Sequence, residues 1–399
     1  MKSYRIDVGV ELESAFGKGQ ADMLSLIGKR LEQGARQSRF LYRFPKAIDV
    51  RNSWRELSHE IRPRLQNILL DLRSISLDGE QGRRFHAMVM MLDRVGYGLW
   101  MVPRIRFLQS GHKCFKWQAL QHVQMHRHGG DDHHSGQPPH YDLCLRDRGG
   151  DHPLAVRTIQ LTQATYRGLG PNETDLPYGM HPEIYNSQQD LQLASLRQTP
   201  RNWELFFGGY RSKEAYRAKS YYKYVHTVNR YELTQCALQI YGAAVRSPRS
   251  DIDLEQLIGC QDAGFVFIDN HEYRIPITRW LDTLSRSRFF LAAPGTTYPM
   301  SHNCVESLAV GTIPVLEYPQ VFRPALQDGV NCLTYRGIDG FRDLLSRLHQ
   351  IDSHTVASLR RGAADYYDRH LGPAALAERL KDPMTKRLHA FAHLAKPAE

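Results

Sequence analysis

A chain of 399 residues is too long for one small module and sets an expectation of two domains, or three. Hydrophobic residues at 42% and charged residues at 24% are ordinary for a globular protein, and exclude a disordered chain, a collagen-like fibre and a coiled coil. The 52 Lys and Arg against 42 Asp and Glu leave a net charge of +10 spread along the chain, which points to an anionic ligand or surface without naming one.

No run approaches the roughly 20 apolar residues of a membrane span. The start, Met1-Lys2-Ser3-Tyr4-Arg5-Ile6-Asp7, has no apolar signal core. A cytoplasmic address is expected. The six cysteines (Cys114, Cys144, Cys236, Cys260, Cys304, Cys332) form no CxxC pair, and read as buried small hydrophobes rather than a disulfide framework.

In chain order, Ala21 to Leu31 and Arg62 to Leu72 place apolar residues at helical spacing. Gly82 to Arg94 predicts a further helix. Tyr97 to Pro103 is a short apolar run stopped by proline, which reads as a strand. A helix-like stretch from Arg104 and a strand at His140 to Leu145 continue the alternation, which favours an α/β layer. Between them lies a loop, His122 to His140, rich in histidine with Asp131 and Asp132. Its spacing matches no metal-binding pattern, so no metal is assigned to it. Gln163 to Gln198, with Gly168, Gly170, Pro171, Pro177, Gly179 and Pro182, reads as a connector. Within it, Asp175 to Glu183 is a proline-stiffened stretch that reads first as a rigid linker; the alternative is that Asp175 and His181 face an interdomain cleft.

The second half is cleaner. Trp203 to Gly209 is an aromatic strand closing on Gly208 and Gly209. Arg230 to Tyr241 is helical, Gly264 to Asp269 a strand, Pro276 to Ser287 a helix, and Arg288 to Ala293 a strand. Asn303 to Val310 is a helix ending at Gly311, Ile313 to Leu316 a strand, and Phe341 to His349 and His354 to His370 are helices. That alternation is the signature of a doubly wound parallel sheet.

The run Arg288 to Tyr318 delivers a buried strand to a Pro-Gly turn and then a loop opening a helix at Ser301-His302-Asn303. Ligands bind at the carboxyl ends of such strands. A helix start offers free N–H groups and the positive end of a dipole, which suits phosphate. Glu306 comes within two turns, where a carboxylate can accept both hydroxyls of a ribose. Read as plain residues, Ser301 and His302 are also good caps, and Glu306 also suits a solvated helix surface. Asp269, at a strand end, is either a turn residue or a contact to base or sugar.

Glu306 to Val315 (ESLAVGTIPV) resembles the donor-binding motif of GT-B glycosyltransferases, in the form found in exostosin-type enzymes. The resemblance extends over about Trp203 to Tyr335. It implies an α/β protein of GT-B architecture, with two Rossmann-like domains facing across a cleft. Their expected limits are 1–165 for an acceptor-side domain, 166–200 for the connector, 201–375 for a nucleotide-sugar-binding domain, and 376–399 for a terminal helix and tail. The resemblance assigns donor contacts to Gly208, Gly209, Glu306 and the basic residues Arg211, Lys213 and Arg217, which otherwise read as basic surface; the helix start and the strand end add Ser301, His302, Asn303 and Asp269 as candidates. It implies a nucleotide sugar as substrate, no cofactor and no metal, and a base on the acceptor side among Asp131, Asp132, His133 and His134. Position 298, where many retaining relatives carry a second glutamate, is Tyr298, so inversion is favoured. With the basic charge, the expected acceptor is a glycan or lipid-linked glycan of surface polysaccharide synthesis, met in the cytoplasm or at the inner membrane face. Two other classes fit the composition: a non-catalytic nucleotide-sugar-binding protein, and a single-stranded nucleic-acid binder using the tyrosines between 210 and 241. The second leaves Glu306 without a purpose.

Overall fold

The structure, a computed structural model, describes residues 66–73, 79–104, 107, 114–126, 140–166, 168–216, 227–260, 263–295 and 298–394. Chain contacts divide the protein into Met1–Arg62 and Pro63–Glu399, and all the described residues belong to the second unit. The helix expected at Ala21 to Leu31 lies outside them.

Two parallel sheets with covering helices build this unit. The first sheet contains β1 (Asn67–Asp71), β2 (Gly98–Met101), β3 (Gln124–Met125), β4 (Tyr141–Arg146), β5 (Ala155–Tyr166), β6 (Glu173–Asp175) and β13 (Arg387–Leu394). Among the described residues its order is β3-β2-β1-β4-β5-β13-β6. Without β13 this is the doubly wound order 3-2-1-4-5-6, whose switch point lies between β1 and β4. Two helices follow the early strands, α1 (Gly79–Arg94) after β1 and α2 (Cys114–Leu120) after β2.

β1 corrects an expectation. The spacing of Arg62 to Leu72 predicts a helix, yet residues 67–71 are a strand. Four of its five residues are buried, because neighbours β2 and β4 flank it and both faces are covered. A doubly buried strand shows a continuous apolar run with no period of two, and a short run of that kind mimics helical spacing.

The second sheet contains β7 (Trp203–Gly209), β8 (Val245–Arg246), β9 (Ala263–Asp269), β10 (Ser287–Leu291), β11 (Ile313–Leu316) and β12 (Leu333–Thr334), in the order β12-β11-β10-β7-β9-β8. The chain winds from β7 to β9 and β8 on one side and crosses to β10, β11 and β12 on the other. Its switch point therefore falls between β7 and β10. Further helices are α3 (Pro182–Asn186), α4 (Arg230–Tyr241), α5 (Asp251–Gly259), α6 (Ile277–Ser285), α7 (His302–Ala309), α8 (Gly337–Arg347), α9 (Ser353–Tyr366) and α10 (Pro373–Lys381). One face of the sheet presents Leu205, Phe207, Phe265, Phe267, Phe289, Leu291, Ile313 and Val315 to Leu233 and Ala237 of α4 and to Phe341 and Leu345 of α8.

The stretch 166–200 holds more structure than a connector needs. β6 joins the edge of the first sheet beside β13, and α3 comes next. Beyond α10 the chain returns to the first sheet, where β13 pairs with β5 on one side and β6 on the other. Of the described cysteines, Cys144, Cys236, Cys304 and Cys332 are buried as expected, whereas Cys260 is exposed at the end of α5.

Candidate functional site

The carboxyl edges of the two sheets meet. The segment after β6 reaches His181, whose backbone N–H donates to Glu306 Oε1 at 2.8 Å. The imidazole of His181 lies edge-on to that of His302 on α7, centroids 5.3 Å apart, and edge-on to Phe115 of α2 at 5.4 Å. Arg83 of α1 stands over Phe115 at 5.4 Å, and its charge reaches His181, His302 and Glu306. The seam thus joins elements that follow β1, β2 and β6 to the helix that follows β10.

Glu306 is neither on a solvated helix surface nor open to a ligand. It is 0% exposed. The second carboxyl oxygen accepts the indole N–H of Trp280 at 2.5 Å. Burial pushes its pKa up to about 7, against the lowering pull of these two hydrogen bonds and the Arg83 charge. A ribose reaches this carboxylate only if the His181 segment swings away.

The start of α7 is differently placed. Ser301 occupies the N-cap position in extended backbone, yet its side chain caps nothing. The Ser301 carbonyl accepts from the N–H groups of Cys304 and Val305. His302 is half-buried; burial first, then the charges of His181, Arg83 and Arg230, hold its pKa well below the ordinary value. For His181, burial and then the charges of Arg83, Arg274 and His86 lower it to about 4. Both imidazoles are therefore neutral near pH 7 and act as hydrogen-bonding groups, not as cations.

Asn303 ties α7 to β7 by donating its Nδ2 to the Gly208 carbonyl at 3.1 Å. Gly208 is required by close packing: a methyl there would come within 2.8 Å of both the Trp280 and Phe206 rings. Gly209 has room, with its nearest neighbour at 3.5 Å. Arg230, which opens α4, donates to the carbonyls of Tyr210 at 3.1 Å and Ala293 at 3.2 Å. It thereby pins together the loops that leave β7 and β10 at the switch point. The Nε atoms of Arg83 and Arg230 are buried and have no partner among the described residues.

Arg211 does not stand free for a diphosphate. It pairs with Asp269 at 3.4 Å and stacks over Phe267 and Tyr231. Asp269 also accepts the His271 N–H at 3.1 Å, the turn role its position allows. Lys213 is exposed, its ammonium 5.7 Å from the Tyr231 ring centroid. Arg217, Asp131, Asp132, His133 and His134 lie outside the described residues.

The sequence reading missed a second cluster, at the switch point of the first sheet. Asp71 ends β1, is 0% exposed, and gathers Arg104 at 2.8 Å, Arg148 at 2.5 Å, His152 at 3.6 Å and Arg146 at 3.8 Å. Burial raises the Asp71 pKa, but the Arg104 hydrogen bond and the charges of Arg104, Arg148 and His152 outweigh it, so the net shift is downward. Three arginines on one carboxylate leave a positive surplus at the carboxyl edge. Arg83 and Arg230 were missed too. Neither sits in a motif; the one local signal is Arg230 directly after Asn229, whose side chain caps α4.

No family model matches the chain, and no curated protein matches its sequence. Among solved structures, the N-terminal domain of trehalose-6-phosphate phosphatase from Candida albicans is similar at 9% identity and TM-score 0.40, over 81% of this chain and 99% of that one. A glycosyltransferase from Rickettsia africae is similar at 8% identity and TM-score 0.39, over 79% and 99%. AviGT4, a glycosyltransferase involved in avilamycin A biosynthesis, is similar at 14% identity and TM-score 0.38, over 80% and 97%. Likeness this distant says nothing of activity. The mixed α/β architecture with two parallel, Rossmann-like sheets rests on the strand orders themselves. Among the described residues, no helix is long and apolar enough to cross a membrane.

Proposed function

We propose that the protein is a glycosyltransferase of GT-B type, moving a sugar from a nucleotide-activated donor to a hydroxyl of a glycan or lipid-linked glycan. The observation that carries this reading is the convergence at the start of α7. A helix N-terminus without a side-chain cap, two neutral imidazoles, and the arginines Arg83 and Arg230 gather where the carboxyl edges of two doubly wound sheets meet. Such an arrangement suits a phosphate or diphosphate. The exostosin-like assignment rests on the motif at 306–315 alone.

On this reading the leaving phosphate lies against the N–H groups of His302 and Asn303, with Arg83 reaching it from the first sheet's side. Charge that grows on it during transfer is neutralised by fixed donors and the helix dipole. The protein supplies that neutralisation itself, so we assign no metal and no cofactor. Neutral His302 adds a hydrogen bond to the phosphate. The ribose is held by Glu306 once the His181 segment has moved, so donor binding and seam opening are coupled. The acceptor lies at the other switch point. The positive surplus around Asp71 favours an acidic acceptor there, and the base that takes its proton comes from Asp131, Asp132 or His133.

The test is a thermal-shift titration with nucleoside di- and monophosphates, followed by donor turnover. One nucleotide is expected to raise the melting temperature, and Arg83→Gln to weaken its binding by about tenfold or more, the loss of one charge-assisted contact. Stabilisation by no nucleotide, or an identical response in the variant, overturns the assignment. Binding without hydrolysis or transfer leaves the non-catalytic sugar-nucleotide binder in its place.

A further inference from the structure

A second basic site lies at the opposite, amino-terminal edge of the second sheet. A cleft of about 310 Å³ is lined by Pro200, Arg201, Arg288, Val356, Ala357 and Arg360, among others. Among the described residues its walls carry three arginines and no acid. Arg201 is fixed by donating to the carbonyls of Ser285 and Val310 and to the Thr312 hydroxyl. It satisfies the trailing ends of α6 and α7, the sort of site where cations settle. Arg360 donates to the Arg197 carbonyl at 2.7 Å. Neither guanidinium completes its donors: the Nε atoms of Arg201 and Arg360 are buried without a partner among the described residues. Arg288 forms no ion pair with any described acid.

The acids nearby are spent elsewhere. Asp368 takes Arg197 at 2.7 Å, Asp282 takes Arg286 at 2.9 Å, and Asp352 caps α9 by accepting from Thr355 at 2.9 Å. Burial, with the charges of Arg360 and Arg286, lowers the Arg201 pKa to about 8, and burial lowers that of Arg360. Like charges held close in a partly desolvated cleft need a counter-charge. Arginines recognise phosphate by paired hydrogen bonds. Pro200, Val356 and Ala357 give the lining an apolar part, and the first turn of α9 contributes Ser353.

We propose that this cleft binds a small organic phosphate, its phosphate on Arg288, Arg201 and Arg360 and its carbon skeleton against Val356 and Ala357. The site is separate from the start of α7 and stands whether or not the chain transfers sugar. Through Arg201 and the Val310 carbonyl it touches the far end of the helix whose start is the candidate donor site.

The experiment titrates the full chain with inorganic phosphate and with a pentose phosphate, against chloride at matched ionic strength, reading melting temperature and phosphorus-31 line width. It compares the wild-type chain with Arg288→Ala and with Arg83→Gln. Among the described residues the Arg288 side chain makes no hydrogen bond, and the backbone pairing of β10 does not depend on it, so its variant is expected to fold. Both phosphates should stabilise the wild type, and the pentose phosphate should bind more tightly. Arg288→Ala should weaken both by about tenfold, while Arg83→Gln leaves this binding in place. No stabilisation beyond chloride, equal binding to Arg288→Ala, or loss confined to Arg83→Gln overturns the site. A pentose phosphate no tighter than inorganic phosphate overturns the role of the apolar part of the lining. Failure of the donor site instead appears as a missing nucleotide response with this phosphate response intact.

Discussion

Trp280→Phe probes the buried carboxyl at the seam. The indole N–H donates to Glu306 at 2.5 Å, and the His181 N–H holds the other oxygen at 2.8 Å. With its pKa pushed from 4.5 up to about 7, Glu306 is neutral in the folded chain and ionised in the unfolded chain between those two values. Stability of the wild type therefore falls as pH climbs through that window and levels off above it. At about 1.4 kcal/mol per pH unit the gap amounts to about 3 kcal/mol. Removing the indole N–H deprives an ionised acceptor at high pH, worth about 1.5–3 kcal/mol, but a neutral one at low pH, worth about 0.5–1.5 kcal/mol. The smaller ring also leaves a void beside Phe206, whose cost does not depend on pH. The variant should thus lose about 1–2 kcal/mol more at about pH 8.5 than at about pH 5.5. Urea unfolding followed by circular dichroism at both values measures it. An equal loss at the two pH values would refute the reasoning, because it would mean that the indole does not hold a titrating carboxyl.

Gly208→Ala should cost about 1–3 kcal/mol in unfolding experiments, because the new methyl meets two aromatic rings at 2.8 Å, whereas Gly209→Ala should change stability little. Arg94→Lys should lose about 1–3 kcal/mol by thermal unfolding, since Arg94 grips Asp190 with two bonds of 2.7 and 3.1 Å and also the Tyr185 carbonyl, and an ammonium reproduces only part of that fork. Asp71→Asn should destabilise the chain by about 3 kcal/mol at neutral pH by leaving its arginines unpaired. Because the folded pKa of Asp71 lies below 3.8, the wild type should keep this contribution at higher pH and lose it in acid as pH falls through that lowered value. The gap between the two chains should close there in an acid titration, and a gap that persists would show that the arginines gain nothing from the Asp71 charge.

The second sheet was legible because its strands announce themselves. Ile313 to Leu316 and Arg230 to Tyr241 fall on the expected residues, and Gly264 to Asp269 is one residue short of β9. Each is an apolar run bounded by a turn signal, and α/β alternation fixes the type of the next element. The first sheet was harder. β1 hides its strand character in two-sided burial, and β6 and β13 mix charged and histidine side chains with a few apolar ones. At the site, sequence placed the helix at Asn303 to Val310, one residue later than α7 at each end, but misjudged what surrounds Glu306. The partner that decides its burial, His181, lies 125 residues away, and no local pattern reports a contact of that span. Arg83 escaped for the same reason: it belongs to a helix of the first layer and matters only where that layer meets the second.

The return of the last strand has a consequence for how the molecule is made. Arg387–Leu394 is wedged between β5 and β6, so the first sheet stays unfinished until the strands of the second sheet, which lie between β6 and β13 in the chain, have all been made. Until then β5 and β6 lack their shared neighbour, and two strand margins remain open to wrong pairings. Arrival of β13 is then the step that closes the first sheet.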